Sequence, residues 1–277
     1  FRATAETLST IAADPQHLGA TIGFFAVLHS WGQNLLFHPH LHCVVPGGGI
    51  SPNGARWISC RPNFFLPVKV LSRLFRRLFL QYLQEAFDAG KLQFFSSLQA
   101  LQDPQAFTRH LDLVRDLEWV VYAKPPFAGP QQVVDYVGRY THRVAISNHR
   151  IVDIEVGRVK FKWRDYRDNN QQKTMTLSAD EFIRRFLLHV LPSGFHRIRY
   201  YGFLGNRHRK EKLERCRQLL GMTPSPSEPA TQEDYRDRYE RLTGHSLREC
   251  PVCHRGRMIS VKRLPEAPFS PAVKDTS

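Results

Sequence analysis

Two histidines separated by a single residue are the strongest chemical signal in this sequence. His40 and His42 flank Leu41 in a short apolar segment, 41–45, that has the composition of a β-strand. Because alternate side chains of a strand project to the same face, both imidazoles point to one side. Imidazole nitrogens combined with oxygen donors suit Mn²⁺, and Mg²⁺ can be held where phosphate oxygens and waters complete an octahedron. The spacing therefore predicts half of a divalent metal site.

Such a site needs a third protein ligand, and the sequence offers three candidates. We place Gln33 first, because a side-chain carbonyl oxygen suits a hard cation. His38 precedes the pair with the same strand parity, and His29 lies in the apolar segment 22–29 that is predicted as the neighbouring strand. The simpler interpretation of the histidines is a polar strand face without a metal.

A pair of tyrosines four residues apart supplies a second reactive group. Tyr136 and Tyr140 fall in a predicted helix at 130–141, where this spacing puts them on one face, about 6 Å apart along the axis. Nearby cations suit phosphate oxygens and favour the phenolate form of a tyrosine. The cations of this region are Arg139, His142, Arg143 and Arg150. The segment predicts two nucleophilic hydroxyls, whereas core packing is the usual explanation of such an aromatic pair.

The elements that must position these groups alternate between helices and strands in a hairpin-rich order. This order predicts an α+β fold, with an antiparallel β-sheet and helices packed mainly on one face. We assign residues 1–205 to this core and residues 206–277 to a small basic helical C-terminal region, with a Pro- and Ser-rich linker at 223–229. The predicted strands are 22–29, 41–45, 118–123, 151–156, 159–163, 174–177 and 198–203, and 56–59 is a candidate for a further short strand.

Charge and composition narrow the class of partner. The 277 residues carry a formal charge of +14, which suits a polyanion such as nucleic acid. No long apolar run is present, which argues against a membrane partner. The five cysteines are scattered rather than arranged as a disulfide framework, which favours a reducing, cytoplasmic location. The first residue is Phe rather than Met, and we interpret the chain as a fragment without a visible secretory signal.

The segment 197–217 combines basic and aromatic side chains. Arg207, Arg209 and Lys210 follow closely on Tyr200 and Tyr201. Cations that bind phosphates, together with aromatic rings on which bases stack, are typical of single-strand binding. The segment is therefore a predicted DNA contact, with a solvated helix face as the alternative.

Cys250 and Cys253 form a Cys-x-x-Cys pair near the C-terminal end of the sequence. A closed structural zinc site needs four ligands, so this pair is half of one. His245, His254 and Cys216 are available as partners, and the other ligands could instead lie outside this chain. The pair predicts a Zn²⁺ site only if those ligands are supplied.

Together, the histidine and tyrosine motifs resemble those of two-tyrosine transposases in the His-hydrophobe-His (HUH) endonuclease superfamily. The closer likeness is to rolling-circle transposases of the IS91 type, including those of common-region elements. The matching strings are 24–34, 38–49 and 136–147, and the likeness covers most of residues 1–205 and continues into 250–258. One departure is that family members usually carry a cysteine-rich, zinc-binding region before the nuclease core, and this chain begins too late to contain it.

The resemblance implies a function and assigns roles to residues. It implies that His40 and His42 bind the metal and that Tyr136 and Tyr140 are the nucleophiles. It also implies a five-stranded antiparallel sheet in which the histidine strand is central. The implied reaction nicks single-stranded DNA at the ends of a mobile element through a 5′-phosphotyrosine, for rolling-circle transposition. No nucleotide cofactor is needed, because the covalent intermediate retains the bond energy. Two alternatives stay open: a metal-dependent hydrolytic nuclease, and an inactive nucleic-acid-binding module. The sequence leaves the oligomeric state undetermined.

Overall fold

The chain divides into two units, residues 1–223 and residues 224–277. A computed structural model describes residues 1–127, 129–141, 145–166, 168–222, 234–250 and 253–258, with the backbone alone for 139–141. The predicted α+β class with antiparallel sheets is confirmed. The helices are α1 Arg2–Ala13, α2 Val68–Asp88, α3 Pro104–Arg115, α4 Pro130–Thr141, α5 Ala179–Leu187, α6 Arg209–Leu219 and α7 Tyr235–Thr243. The strands are β1 Gly23–Trp31, β2 Phe37–Val44, β3 Gly48–Ile50, β4 Trp57–Ser59, β5 Ile151–Glu155, β6 Arg158–Asp165, β7 Gln171–Ser178 and β8 Ile198–Gly202.

The histidines lie on β2, in an antiparallel sheet of order β2-β1-β8. The implied five-stranded sheet with a central histidine strand is therefore wrong for the described residues, which give this sheet three strands with β2 at its edge. The reason lies in the side chains. The strand β1 is almost continuously apolar and largely buried, as a strand between two neighbours must be, whereas the histidine-rich β2 is more exposed.

The helices α1 and α2 pack on this sheet through an apolar cluster. Leu8 and Ile11 of α1 and Leu71 of α2 meet Phe24 of β1, and all four side chains are buried. Gly202 closes the far edge with a φ of +60°, and a Cβ at this position would lie 1.8 Å from the Ile22 carbonyl oxygen. Only glycine fits where β8 ends against β1.

A second antiparallel sheet, of order β5-β6-β7, packs against the turn that joins β1 to β2. Phe161 on the inner face of β6 is fully buried and contacts Leu35 of the turn and Phe182 of α5. Leu35 itself has a φ of +61° and is fully buried. Packing against this sheet therefore stabilises the left-handed conformation of the turn that leads into the histidine strand.

Truncation of Phe161 tests this packing. We expect Phe161→Ala to lower the free energy of unfolding by about 3–5 kcal/mol, because it leaves a cavity that its neighbours cannot fill. Tryptophan fluorescence during denaturant unfolding measures the change for the first unit alone, since all four tryptophans lie there. Ile154→Ala on the exposed side of β5 is the control, and a loss as large as that of Phe161→Ala would contradict the assignment.

Residues 118–123 form no strand, and the prediction of one there is wrong. The Trp119 carbonyl accepts a hydrogen bond from Ser72, and the Leu117 carbonyl accepts one from Arg76. The Trp119 ring packs against Phe75 and Phe79, with centroids 5.7 and 5.4 Å away. Side chains of α2 thus occupy the polar backbone groups that a neighbouring strand would have used.

The basic helix α6 belongs to the first unit. Its Cys216 is buried, and its Arg215 guanidinium donates to the Gly54 carbonyl, at 3.1 Å from Nη2. The first unit therefore extends beyond residue 205 and ends at the start of the predicted linker 223–229. The second unit contains α7, Cys250 and Cys253.

Candidate metal and tyrosine site

Three histidines of the β1–β2 hairpin gather their ring nitrogens in one place. His29 lies directly opposite His40 in the strand register, and His42 follows two residues later on the same face. His40 Nε2 lies 3.3 Å from His29 Nδ1 and 3.0 Å from His42 Nε2. One nitrogen from each ring falls within a span of 4.8 Å, which is the geometry of a three-histidine metal site.

A backbone hydrogen bond fixes the orientation of the central ring. His40 Nδ1 lies 2.7 Å from the His38 carbonyl oxygen. Because a carbonyl oxygen can only accept, Nδ1 carries the proton and Nε2 presents a lone pair to the other two histidines. This is the support that metal-binding imidazoles usually receive from their second nitrogen.

Burial keeps the cluster uncharged. Desolvation, followed by the neighbouring histidines, lowers the pKa of His29 to about 3. The same causes and Lys124 lower the pKa of His42 to about 4, and desolvation also lowers the pKa of His40. Neutral rings are the metal-binding form of histidine, so the donor set fits a divalent cation.

His29 occupies the third position of the cluster, for which Gln33 was the first candidate. The Gln33 side chain instead donates from Nε2 to the Tyr166 hydroxyl, 3.1 Å away. His38 supplies its carbonyl to His40. Gln33 as a ligand stays a prediction. The sequence could have identified His29 from the register of the hairpin, because residues equidistant from the centre of a turn face each other across two antiparallel strands.

Tyr136 reaches this cluster from α4. Its hydroxyl oxygen lies 2.8 Å from His42 Nδ1, and the two rings meet nearly edge to face. The tyrosine ring is half-buried against Phe127, and Lys124 Nζ lies 5.4 Å from its centroid. The structure therefore brings together a phenolic hydroxyl and the three imidazoles from stretches about a hundred residues apart.

The other predicted residues of α4 are only partly visible. Arg139 lies three residues after Tyr136 on α4, and Tyr140 lies about one helical turn after it. Only the backbone of these two residues is described. His142 and Arg143 lie outside the described residues altogether. Their roles in catalysis and DNA binding stay predictions.

Arg150, a predicted DNA contact, is engaged within the fold. Its guanidinium donates to the Gln33 carbonyl, and to the Lys162 carbonyl at 2.9 Å. Arg185 Nη1 donates to the Asn34 carbonyl at 3.2 Å, and His189 Nε2 to the Leu35 carbonyl at 3.1 Å. Three side chains thus clamp three consecutive carbonyls of the β1–β2 turn. No sequence pattern marked Arg185 or His189 for this role.

The basic residues around α6 are exposed. Arg207 Nε lies 3.3 Å from His208 Nε2, and the Arg209 guanidinium lies 5.8 Å from the centre of the Tyr200 ring. Lys210 is exposed on the first turn of α6. Cations and an aromatic face are therefore adjacent, as the sequence suggested, while DNA binding by these residues stays a prediction.

Backbone hydrogen bonds join Cys250 of the second unit to residues that follow Cys253. The Cys250 amide donates to the Gly256 carbonyl at 2.7 Å, and the His254 amide donates to the Cys250 carbonyl at 2.9 Å. Amides of Arg255 and Gly256 donate toward Cys253 and lower the pKa of its thiol. Among the described residues the three histidines form the one metal-like group of three or more ligands. Zinc at Cys250 and Cys253 therefore stays a prediction.

Comparison with known proteins agrees with the resemblance. The model of the family Y2_Tnp, described as "Putative transposase", matches residues 23–212. The chain is 70% identical to the "Putative transposase y4qJ" of Sinorhizobium fredii (strain NBRC 101917 / NGR234), over all of this chain and 70% of that protein. It is 28% identical to the "Transposase for insertion sequence element IS801" of Pseudomonas savastanoi pv. phaseolicola, over 82% of this chain and 53% of that protein. No solved structure matches the chain.

The fold and the site define an α+β protein with a histidine cluster beside a tyrosine helix, the combination expected of a DNA-processing enzyme. The chain belongs to the Y2_Tnp transposase family, and the likeness to the IS91 type of transposase is confirmed. None of the described helices is long and apolar enough to cross a membrane.

Proposed function

We propose that this protein nicks single-stranded DNA at the ends of a mobile element by attack of the Tyr136 hydroxyl, for rolling-circle transposition. A divalent metal held by His29, His40 and His42 assists the reaction. The observation that carries the proposal is the 2.8 Å contact between the Tyr136 hydroxyl and His42 Nδ1, on a ring whose Nε2 faces the histidine cluster. A hydroxyl so close to a metal-like cluster is placed for nucleophilic attack on a bound phosphodiester.

The donor set supports one choice of metal. Imidazole nitrogens suit transition-metal ions better than Mg²⁺, so we prefer Mn²⁺ of the two predicted cofactors. A cation held by His29, His40 and His42 would withdraw charge from the scissile phosphate and stabilise the pentacovalent transition state.

His42 connects the two halves of the site. With its Nε2 lone pair directed at the cluster, the neutral ring carries its proton on Nδ1 and donates to the Tyr136 oxygen. The hydrogen bond holds this oxygen beside the cluster. The Lys124 ammonium lies 5.4 Å from the centre of the Tyr136 ring and adds a positive charge beside it.

The covalent step follows from this placement. The Tyr136 oxygen loses its proton to solvent and bonds to phosphorus, while the bond from phosphorus to the 3′ oxygen breaks. The 3′ oxygen takes up a proton from solvent, so the products are a 5′-phosphotyrosine and a free 3′-hydroxyl. Tyr140 lies one helical turn further along α4, where it serves a second cleavage while the first end is still held. Basic residues flank the path of the strand in this proposal, and they are Arg139, His142, Arg143, Arg207, Arg209 and Lys210.

The test uses single-stranded DNA from an element end, labelled separately at each end and incubated with Mn²⁺. We expect a denaturation-resistant protein–DNA band with the 3′ label only, because a 5′-phosphotyrosine retains the fragment downstream of the cut. The 5′-labelled fragment is released with a free 3′-hydroxyl. Release of both fragments without a covalent band would favour a hydrolytic nuclease, and uncut DNA would favour an inactive binding module.

A further inference from the structure

The outward face of β6 carries a row of four basic side chains. Arg158, Lys160, Lys162 and Arg164 alternate with Val159, Phe161 and Trp163, which face the core. All four basic residues are exposed. Because a strand rises about 3.3 Å per residue, successive members of the row stand about 6.6 Å apart. The row is straight and regular, as a repeating polyanion requires.

The two ends of the basic row face neighbouring side chains of different charge. On β5, Asp153 lies opposite Lys160 and Glu155 lies opposite Arg158, so carboxylates partly offset the charge at that end. On β7, Thr174 lies opposite Lys162 and Gln172 lies opposite Arg164. These uncharged side chains are exposed and can donate hydrogen bonds to phosphate oxygens. The strongest positive field therefore belongs to Lys162 and Arg164.

Stability alone does not account for this row. Like charges on adjacent positions of one strand face repel each other, and cross-strand pairs of opposite charge are the arrangement that stabilises a sheet. No ion pair among the described residues includes any of the four basic side chains. Lys162 and Arg164, which have neither an ion pair nor a carboxylate opposite them on β7, indicate a surface that binds an anion.

The row leads toward the histidine strand. Its next alternate position is Tyr166, whose ring is 68% exposed and whose hydroxyl accepts a hydrogen bond from Gln33 Nε2. Gln33 lies in the β1–β2 turn, four residues before β2 begins at Phe37. An exposed aromatic ring beside a line of cations is the pattern on which unpaired bases stack.

We propose that the outward face of the β5–β7 sheet binds the backbone of single-stranded DNA, with Lys162 and Arg164 as its principal phosphate contacts. This inference rests on the proposed function, because it takes the strand that Tyr136 cuts to be the occupant. A single line of cations ending at an aromatic ring suits one unpaired strand. It does not suit a duplex, whose two backbones lie on either side of its grooves.

The double variant Lys162→Gln and Arg164→Gln tests the surface. Fluorescence anisotropy measures affinity for a labelled single-stranded oligonucleotide in EDTA over a series of salt concentrations. We expect the variant to bind about tenfold more weakly or worse, and its plot of log affinity against log salt to become less steep by about 1.4, since each single-strand phosphate contact contributes about 0.7. The matched control is Arg73→Gln with Arg77→Gln, two exposed residues of α2, which should bind as the wild type does.

The outcomes separate this inference from the proposed function. If the double variant kept the wild-type affinity and the wild-type salt dependence, the inference that this surface binds DNA would be wrong, even if the wild-type protein forms the covalent adduct. An equal loss of affinity for a duplex of the same sequence would overturn its assignment to single strands. Weaker single-strand binding in EDTA, with an unchanged thermal midpoint, supports the surface whether or not the protein cleaves. Failure of cleavage alone therefore counts against the proposed function only.

Discussion

Tyr136→Phe should abolish the covalent protein–DNA adduct while single-stranded DNA still binds. The substitution removes one oxygen, the atom that lies 2.8 Å from His42 Nδ1, and leaves the ring that packs against Phe127. Loss of a nucleophile that forms a covalent intermediate typically costs a thousandfold or more, so we expect the rate of adduct formation to fall by at least about 10³. Single-turnover assays with 3′-labelled DNA and Mn²⁺ measure this rate, and anisotropy in EDTA measures the binding that remains.

Two further Tyr→Phe variants serve as controls for the same chemistry. Tyr122→Phe removes a hydroxyl from a ring that is 77% exposed, and adduct formation should proceed at the wild-type rate. Tyr140→Phe should keep the first adduct and lose the second cleavage, because it leaves in place the Tyr136 hydroxyl, which lies 2.8 Å from His42 Nδ1. Continued cutting by Tyr136→Phe with release of both DNA fragments would show that the tyrosines only pack and that water is the nucleophile.

Local periodicity was enough to predict the two halves of the candidate site. The two-residue repeat of a strand puts His40 and His42 on one face, and the structure has them there, with Nε2 atoms 3.0 Å apart. The apolar stripe and the spacing of residues 130–141 predicted a helix, and α4 spans the same residues. Both predictions needed only interactions between residues that are near in sequence.

Pairings between distant residues could not be predicted in this way. Gln33 was ranked above His29 as the third metal ligand on the chemistry of its side-chain oxygen alone. The strand register, which was not considered, makes His29 the partner of His40. Arg150 was assigned to DNA because its charge is visible in the sequence, whereas its carbonyl acceptors at Gln33 and Lys162 become neighbours only in the fold. Residues 118–123 have a strand composition, but side chains of α2 bind the carbonyls of Trp119 and of the preceding Leu117. A tertiary contact overturned only the strand prediction at 118–123, whereas the roles of Gln33 as a ligand and Arg150 as a DNA contact stay predictions.

Hydrogen bonds to the β1–β2 turn explain how histidines on an edge strand can be held in fixed positions. An edge strand lacks one neighbour, and within the described part of the chain β2 receives ladder hydrogen bonds from β1 alone. Arg150, Arg185 and His189 bind the carbonyls of the turn that precedes β2, and Leu35 of that turn is buried in the second sheet. These contacts fix the start of the histidine strand from outside its own sheet. Metal ligands need such support, because small displacements of a donor weaken coordination.

Removal of either His29 or His40 should abolish tight Mn²⁺ binding. Mutation of residues that merely support metal ligands costs about 10–100-fold in affinity, so loss of a direct ligand should weaken binding by at least about 100-fold. Isothermal titration of the DNA-free protein with Mn²⁺ measures the affinity of His29→Ala and His40→Ala. Adduct formation should fall with it, because the phosphate then lacks its electrophilic partner.

Two neighbouring residues give controls that separate ligands from bystanders. His38→Ala keeps the backbone carbonyl that holds His40 Nδ1, and Gln33→Ala removes a side chain that contacts Tyr166, so both variants should bind Mn²⁺ within a few-fold of wild type. If Gln33→Ala lost the metal and His29→Ala retained it, the cation would be held by the amide oxygen instead of the third imidazole. The pairing of His29 with His40 would then be a feature of the hairpin alone, without a role in coordination.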